Sequence, residues 1–302
     1  MSALIHALFA RGLFSTATVR TAAIVGALAA VSASAAGVFT VMRGQSFAGH
    51  ALGDMSAAGG SAAFLVGVSP LAGFIGLGAV TAGAISAFAS RGRRARDVST
   101  GIVLGAGLGL AGLLLYLDTT RSSTTGAAVS VMFGSMFAVA SSTLPAVVAA
   151  TGFVLVCVAA LYRALLLSSA SGELAAVQGV RVKLAEAGFL GVLVVAVALS
   201  ALTVGAVLAT ALLIGPAATA VRVARRPGLA IVVAAAIGIG STWVAIVLAY
   251  DSYYWSSSHA AWPVSFFVVG VIFVTYLAVE ILSSVRSRRA KYRRARSVRS
   301  TR

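Results

Sequence analysis

Apolar residues in this chain do not alternate with polar ones at every second position; they run on in blocks of about twenty, separated by short polar or basic connections. A block of that length lets a helix cross a hydrocarbon core of roughly 30 Å. The missing two-residue period excludes a β-barrel. The predicted spans lie at about 17–42, 46–68, 70–90, 98–117, 143–165, 186–204, 205–222, 228–249 and 263–284, nine in all. The fold class is therefore all-α, a polytopic transmembrane helical bundle. The sixth and seventh spans share FLGVLVVAVALSALTVGAVLATALLIGP with hardly a turn between them; read as one broken or re-entrant helix, this stretch reduces the count to eight and moves the N-terminus to the inner side. Residues 1–16 are too short to span and read as an interfacial lead-in. They lack the basic region and the small-residue cleavage site of a secretory signal. The predicted organisation is that lead-in, a bundle over 17–285, and a basic tail over 286–302.

Composition removes the soluble alternatives. Of the 302 residues 60% are hydrophobic and only 10% charged, with a mean hydropathy of +1.01. A soluble domain is about one quarter charged. Cys157 is the only cysteine and falls inside an apolar run, so there is no disulfide framework and no thiolate metal site. The net charge of +16 would suggest nucleic acid in a soluble protein, but nine of the 23 basic residues lie in the tail from Arg286 to Arg302. Beside a membrane such a tail binds anionic lipid head groups, each Lys or Arg contributing about 1 kcal/mol. If Arg43, the Arg91–Arg96 run, Arg163, Arg181, Lys183, the Arg222–Arg226 connection and the tail share one side, that side holds twenty basic residues; only Arg11, Arg20 and Arg121 lie opposite. Positive charge marks the cytoplasmic side, so the C-terminus is predicted inside and the N-terminus outside. The Arg-, Ala-, Val- and Gly-rich usage points to a high-GC bacterial genome, hence a bacterial cell membrane.

Against this background one polar pair stands out. His50 and Asp54, four residues apart in SFAGHALGDMSAAGG, share a helix face. An ionisable residue inside a span costs roughly 2.5–3.5 kcal/mol, so the pair needs a use that offsets the cost. Gly49, Gly53, Gly59 and Gly60 allow close helix approach and turn this segment inward. Imidazole and carboxylate suit zinc, manganese or iron, yet one helix cannot fill even a tetrahedral shell. Two copies facing each other across a two-fold axis supply an N₂O₂ set. The competing reading is a hydrogen-bonded His–Asp pair that neutralises itself, and the residues alone leave both open.

Elsewhere the polar residues have simpler readings. The segment 118–142, with MFGSMF, predicts a short helix at the outer surface. Glu173 to Gly179, ELAAVQG, predicts a short helix capped by Ser171, with Glu173 in the first turn, where negative charge is favoured. Tyr253, Tyr254, Trp255 and Trp262 read as an interfacial aromatic belt, Asp251 as a solvated loop acid, and His259 as a solvated loop histidine or a contact for delivered metal. Glu186 and Glu280 read as interfacial residues. No G-x-x-x-x-G-K-[ST] loop occurs, so any ATP is handled by another polypeptide, and no catalytic motif marks an enzyme.

ELAAVQG resembles the E-A-A-x-x-x-G signature of ABC-transporter permeases, with Glu173, Ala175 and Gly179 matching and Leu174 replacing an alanine. Together with SFAGHALGDMSAAGG, VMFGSMFAV, YRALLLSSASGELAAVQGV and TALLIGPAATAVRVAR, which carries Pro216, the chain is similar over nearly its whole length to permease subunits that import zinc, manganese or iron. The resemblance implies a homodimer working with two ABC ATPase subunits and an extracytoplasmic metal-binding protein. It makes His50 and Asp54 the ligands of the transported ion, and Glu173, Ala175 and Gly179 the ATPase coupling residues. The family pattern places Asp first and His four later; here the two are exchanged. A permease for iron chelates or cobalamin, and a structural or signalling membrane protein with a lipid-bound tail, remain as alternatives.

Overall fold

A computed structural model describes residues 16–89, 93–122, 130–134, 136–253, 255 and 262–300. The lead-in before Thr16, Tyr254 and His259 lie outside them. The helices are α1 (Ala17–Met42), α2 (Ser46–Val66), α3 (Pro70–Ala89), α4 (Arg93–Ser122), α5 (Leu144–Ala170), α6 (Gly172–Val177), α7 (Val182–Val204), α8 (Ala209–Val223), α9 (Pro227–Ser252) and α10 (Val264–Ser300). Each predicted span holds one of these helices. Among the described residues seven are long and apolar enough to cross a membrane; α2 and α8 are not among them.

These two exceptions have different causes. In α2 the polar pair and the serines lower the hydropathy, but thirteen of its 21 residues are buried, so protein surrounds it where lipid would not be tolerated. In α8 the fifteen residues rise only about 22 Å, short of a full crossing. The turn Gly205–Leu208, with Gly205 and Ala206 buried and Val207 exposed, separates it from α7.

Contacts along the helices fix their alternation. Gln45, between α1 and α2, donates from Nε2 to Glu186 at the start of α7 (3.3 Å), and the Arg43 guanidinium lies over the Phe189 ring at 5.2 Å. Further along, Ser32 of α1 donates to Thr151 of α5 (3.2 Å), and Gly26 lies against Thr242 of α9 and Met136. On α8 the Arg222 guanidinium pairs with Glu280 of α10 and donates to the Tyr276 hydroxyl. Successive membrane helices therefore run antiparallel, α8 included, and α1 starts at the end opposite Arg43, Arg181, Lys183, Arg222, Arg225 and Arg226. Glu186 and Glu280, read from the sequence as interfacial residues, also tie helices together, because the partner each meets comes from a distant part of the chain.

The segment after α4 departs from expectation. α4 continues past the predicted end to Ser122, and the described residues that follow are a helical stretch at 130–133 and two 3₁₀ turns, Met136–Ala138 and Ser141–Thr143. Val131 and Met136 are buried while Met132, Phe133 and Phe137 are exposed, so two side chains anchor the segment in the bundle and the rest keeps an outward apolar face. It meets the break between α7 and α8: the N–H groups of Ala206 and Val207 donate to the carbonyls of Val131 and Met132 at 3.0 and 3.3 Å. These bonds satisfy backbone groups that the break in the helix leaves without intrahelical partners.

Candidate functional site

The site begins with α2, whose faces divide the work. Its glycines serve packing: Gly49 faces Leu213 of α8, Gly53 faces Val197 of α7 and the carbonyl of Ala206, and Gly59 meets the backbone of Gly73 on α3. Small residues here let backbones approach closely, as the sequence implied. The contact of Gly53 with Ala206 carries the α7–α8 break to the residue next to Asp54.

His50 and Asp54 occupy a different face. The Asp54 side chain is 6% exposed and that of His50 41%, with Nε2 of the histidine 3.7 Å from Oδ2 of the aspartate. That separation is too long for a hydrogen bond. Oδ2 is buried and has no hydrogen-bond partner. The two side chains lie within ion-pair distance without a hydrogen bond between them. The imidazole beside the buried carboxylate is half-exposed. Among the described residues no three His, Cys, Asp or Glu side chains converge, so one chain offers this pair alone.

A second feature lies at the basic end. α6 is one short helix; the Ser171 side chain accepts from the Leu174 N–H at 3.4 Å, and Glu173 sits in the first turn, as predicted. Gly179 ends it: with φ +77 it takes the left-handed conformation that costs other residues, while Val180 N–H bonds to Ala175 C=O and Gly179 N–H to Ala176 C=O. The glycine of ELAAVQG is thus a helix stop. Ala175 is fully buried in its own chain, whereas Leu174 is 61% and Val177 86% exposed. The sequence singled out Ala175 and passed over Leu174 and Val177, which carry the apolar surface; a helical wheel could have separated them.

Of the residues read as an aromatic belt, Trp255 and Trp262 lie at the opposite end and pack with Phe266 and Phe267 at ring-centroid separations of 5.3–6.5 Å. Asp251 falls in the last turn of α9 and not in a loop.

The chain is 30% identical to the manganese transport system membrane protein MntC of Listeria monocytogenes over 244 residues, 80% of this chain and 85% of the relative. Over an equal length it is 27% identical to the manganese import system permease protein ScaB of Streptococcus gordonii, covering 80% and 86%. Among solved structures it superposes on PsaBC from Streptococcus pneumoniae, bound to a Fab, with a TM-score of 0.76 at 22% identity, covering 92% of this chain and 95% of that one. An inward-facing putative metal-chelate type ABC transporter gives 0.62 at 16% identity, covering 86% and 85%. At these identities the two structures establish the fold, an ABC permease bundle. The model of the ABC 3 transport family matches residues 15–280, from the start of α1 through the pairing of Glu280 with Arg222, and the chain belongs to that family.

Proposed function

We propose that two copies of this chain form the membrane path of an ATP-driven importer for a divalent transition-metal ion, with His50 and Asp54 of each copy holding the ion in transit. The observation that carries this reading is the buried Asp54 Oδ2, without a hydrogen-bond partner and beside a half-exposed imidazole. Two such pairs across a two-fold axis supply two nitrogens and two oxygens. First-row ions compete for such ligands, and availability and geometry choose among them. Manganese is the ion in the relatives' names, with zinc and iron its chemical competitors.

The same reading places the basic end in the cytoplasm, together with the C-terminus, following the charge asymmetry of the connections. There α6 receives an ABC ATPase subunit: Leu174 and Val177 supply apolar contact, while Glu173, Ala175 and Gly179 set the helix's start, seat and stop. The opposite end faces an extracytoplasmic metal-binding protein. The tail holds to anionic head groups as an accessory anchor. A chelate or cobalamin permease would need a wide, uncharged path and would leave His50 and Asp54 without a task.

Radioactive manganese uptake in a deletion strain complemented with His50→Ala or Asp54→Ala tests this. Both variants should reach the membrane at wild-type abundance and lose uptake. Full uptake by both contradicts the assignment.

A further inference from the structure

Many buried hydroxyls among the described residues satisfy themselves along their own helices. Ser32, Thr40, Thr81, Ser200, Thr219 and Thr242 each donate to the carbonyl four residues earlier. Ser61 of α2 does not: its side chain is fully buried and its Oγ has no hydrogen-bond partner. A buried hydroxyl left so costs about 1–3 kcal/mol, although the usual bond is within reach of any helical serine.

The position of Ser61 gives the cost a reason. Residues 50, 54, 57 and 61 recur at i, i+4, i+7 and i+11, which is one face of a helix. Ser61 therefore shares the face of His50 and Asp54, about 10 Å along the axis from Asp54 towards the end opposite the basic one. Between them stands Ala57, whose methyl group blocks little. Two unpartnered oxygens, Asp54 Oδ2 and Ser61 Oγ, thus line one stripe. Along it the residues pass from half-exposed His50 to nearly buried Asp54 to fully buried Ser61, so the stripe is open at its His50 end and closed at its Ser61 end. The unpartnered hydroxyls of Ser34 and Ser56 differ: they lie beside Gly238 and Gly78, and Ser56, two residues from Asp54, points away from this face.

We infer that Ser61 is an outer station of the ion path, where its hydroxyl oxygen receives a hydrated divalent cation, through one of the ion's waters or directly, before Asp54 and His50 take it. The inference rests on the reading of His50 and Asp54 as ligands of the transported ion.

Manganese uptake by the assembled transporter, in a Cys157→Ala background, tests it with Ser61→Ala, Ser61→Cys and Asp54→Ala side by side. Ser61→Ala orphans no partner, so its abundance and thermal midpoint should equal or exceed those of the parent. Its uptake at limiting manganese should fall about tenfold, the loss of one strong hydrogen bond. Ser61→Cys should become sensitive to cadmium, which prefers thiolate, and excess manganese should protect it. Wild-type concentration dependence in Ser61→Ala, or cadmium-insensitive uptake by Ser61→Cys, with uptake lost in Asp54→Ala, overturns the outer station alone. Misassembly of Ser61→Ala also overturns it, by giving the hydroxyl a structural partner. Full uptake by Asp54→Ala overturns the underlying reading instead.

Discussion

Gly134 and Gly205 meet backbone to backbone: a Cβ on Gly134 would stand 2.5 Å from the Gly205 nitrogen, and one on Gly205 would run into Phe133 and Gly134. Both have positive φ, +73 and +93. This crossing lets the 130–138 insert close over the break between α7 and α8, which in turn packs on Gly53 beside Asp54. The bundle holds irregular backbone next to its polar pair through contacts that only glycine permits.

Gly205→Ala should accordingly destabilise the protein by at least about 2 kcal/mol, combining an unfavourable φ with a clash against backbone that cannot move aside. Thermal unfolding in detergent measures it. A midpoint equal to wild type would mean that the crossing is looser than described.

Gly179 predicts a contrasting pattern. A Cβ there would meet nothing within 4 Å, so only the backbone conformation, φ +77, resists substitution. Gly179→Asn, which tolerates this region, should keep ATP hydrolysis coupled to transport; Gly179→Val, costing about 1–3 kcal/mol locally, should fray α6 and weaken coupling. Equal coupling in both variants would remove Gly179 from the account of the dock.

Much of the fold was legible because lipid demands it. A span must be apolar over about twenty residues, and α1, α5, α7, α9 and α10 write that requirement plainly. The break before α8 was blurred because what ends α7 is not local: Val131 and Met132, some seventy residues earlier in the chain, accept the bonds of Ala206 and Val207. The same insert was legible as a short apolar segment, but not its anchoring, because nothing local marks Val131 and Met136 as buried and Met132, Phe133 and Phe137 as exposed. At the site, the spacing of His50 and Asp54 gave the pair, whereas the burial of Oδ2 without a hydrogen-bond partner and the exposure of Leu174 and Val177 depend on neighbours that no single stretch encodes. Ser61 carried one readable signal, its seven-residue spacing from Asp54.

Sidedness gives a prediction independent of chemistry. In a Cys157→Ala background, a membrane-impermeant maleimide applied to sealed cells should label Trp262→Cys and spare Lys183→Cys and Arg225→Cys. Labelling at position 183 or 225 would invert the bundle.

The central claim is a shared ion held by two pairs, and metal stoichiometry in the purified, assembled transporter tests it most directly. Equilibrium dialysis against manganese followed by elemental analysis should find one ion per two chains in the wild type, and none above background in His50→Ala or Asp54→Ala. One ion per single chain, or equal binding by wild type and Asp54→Ala, would contradict it.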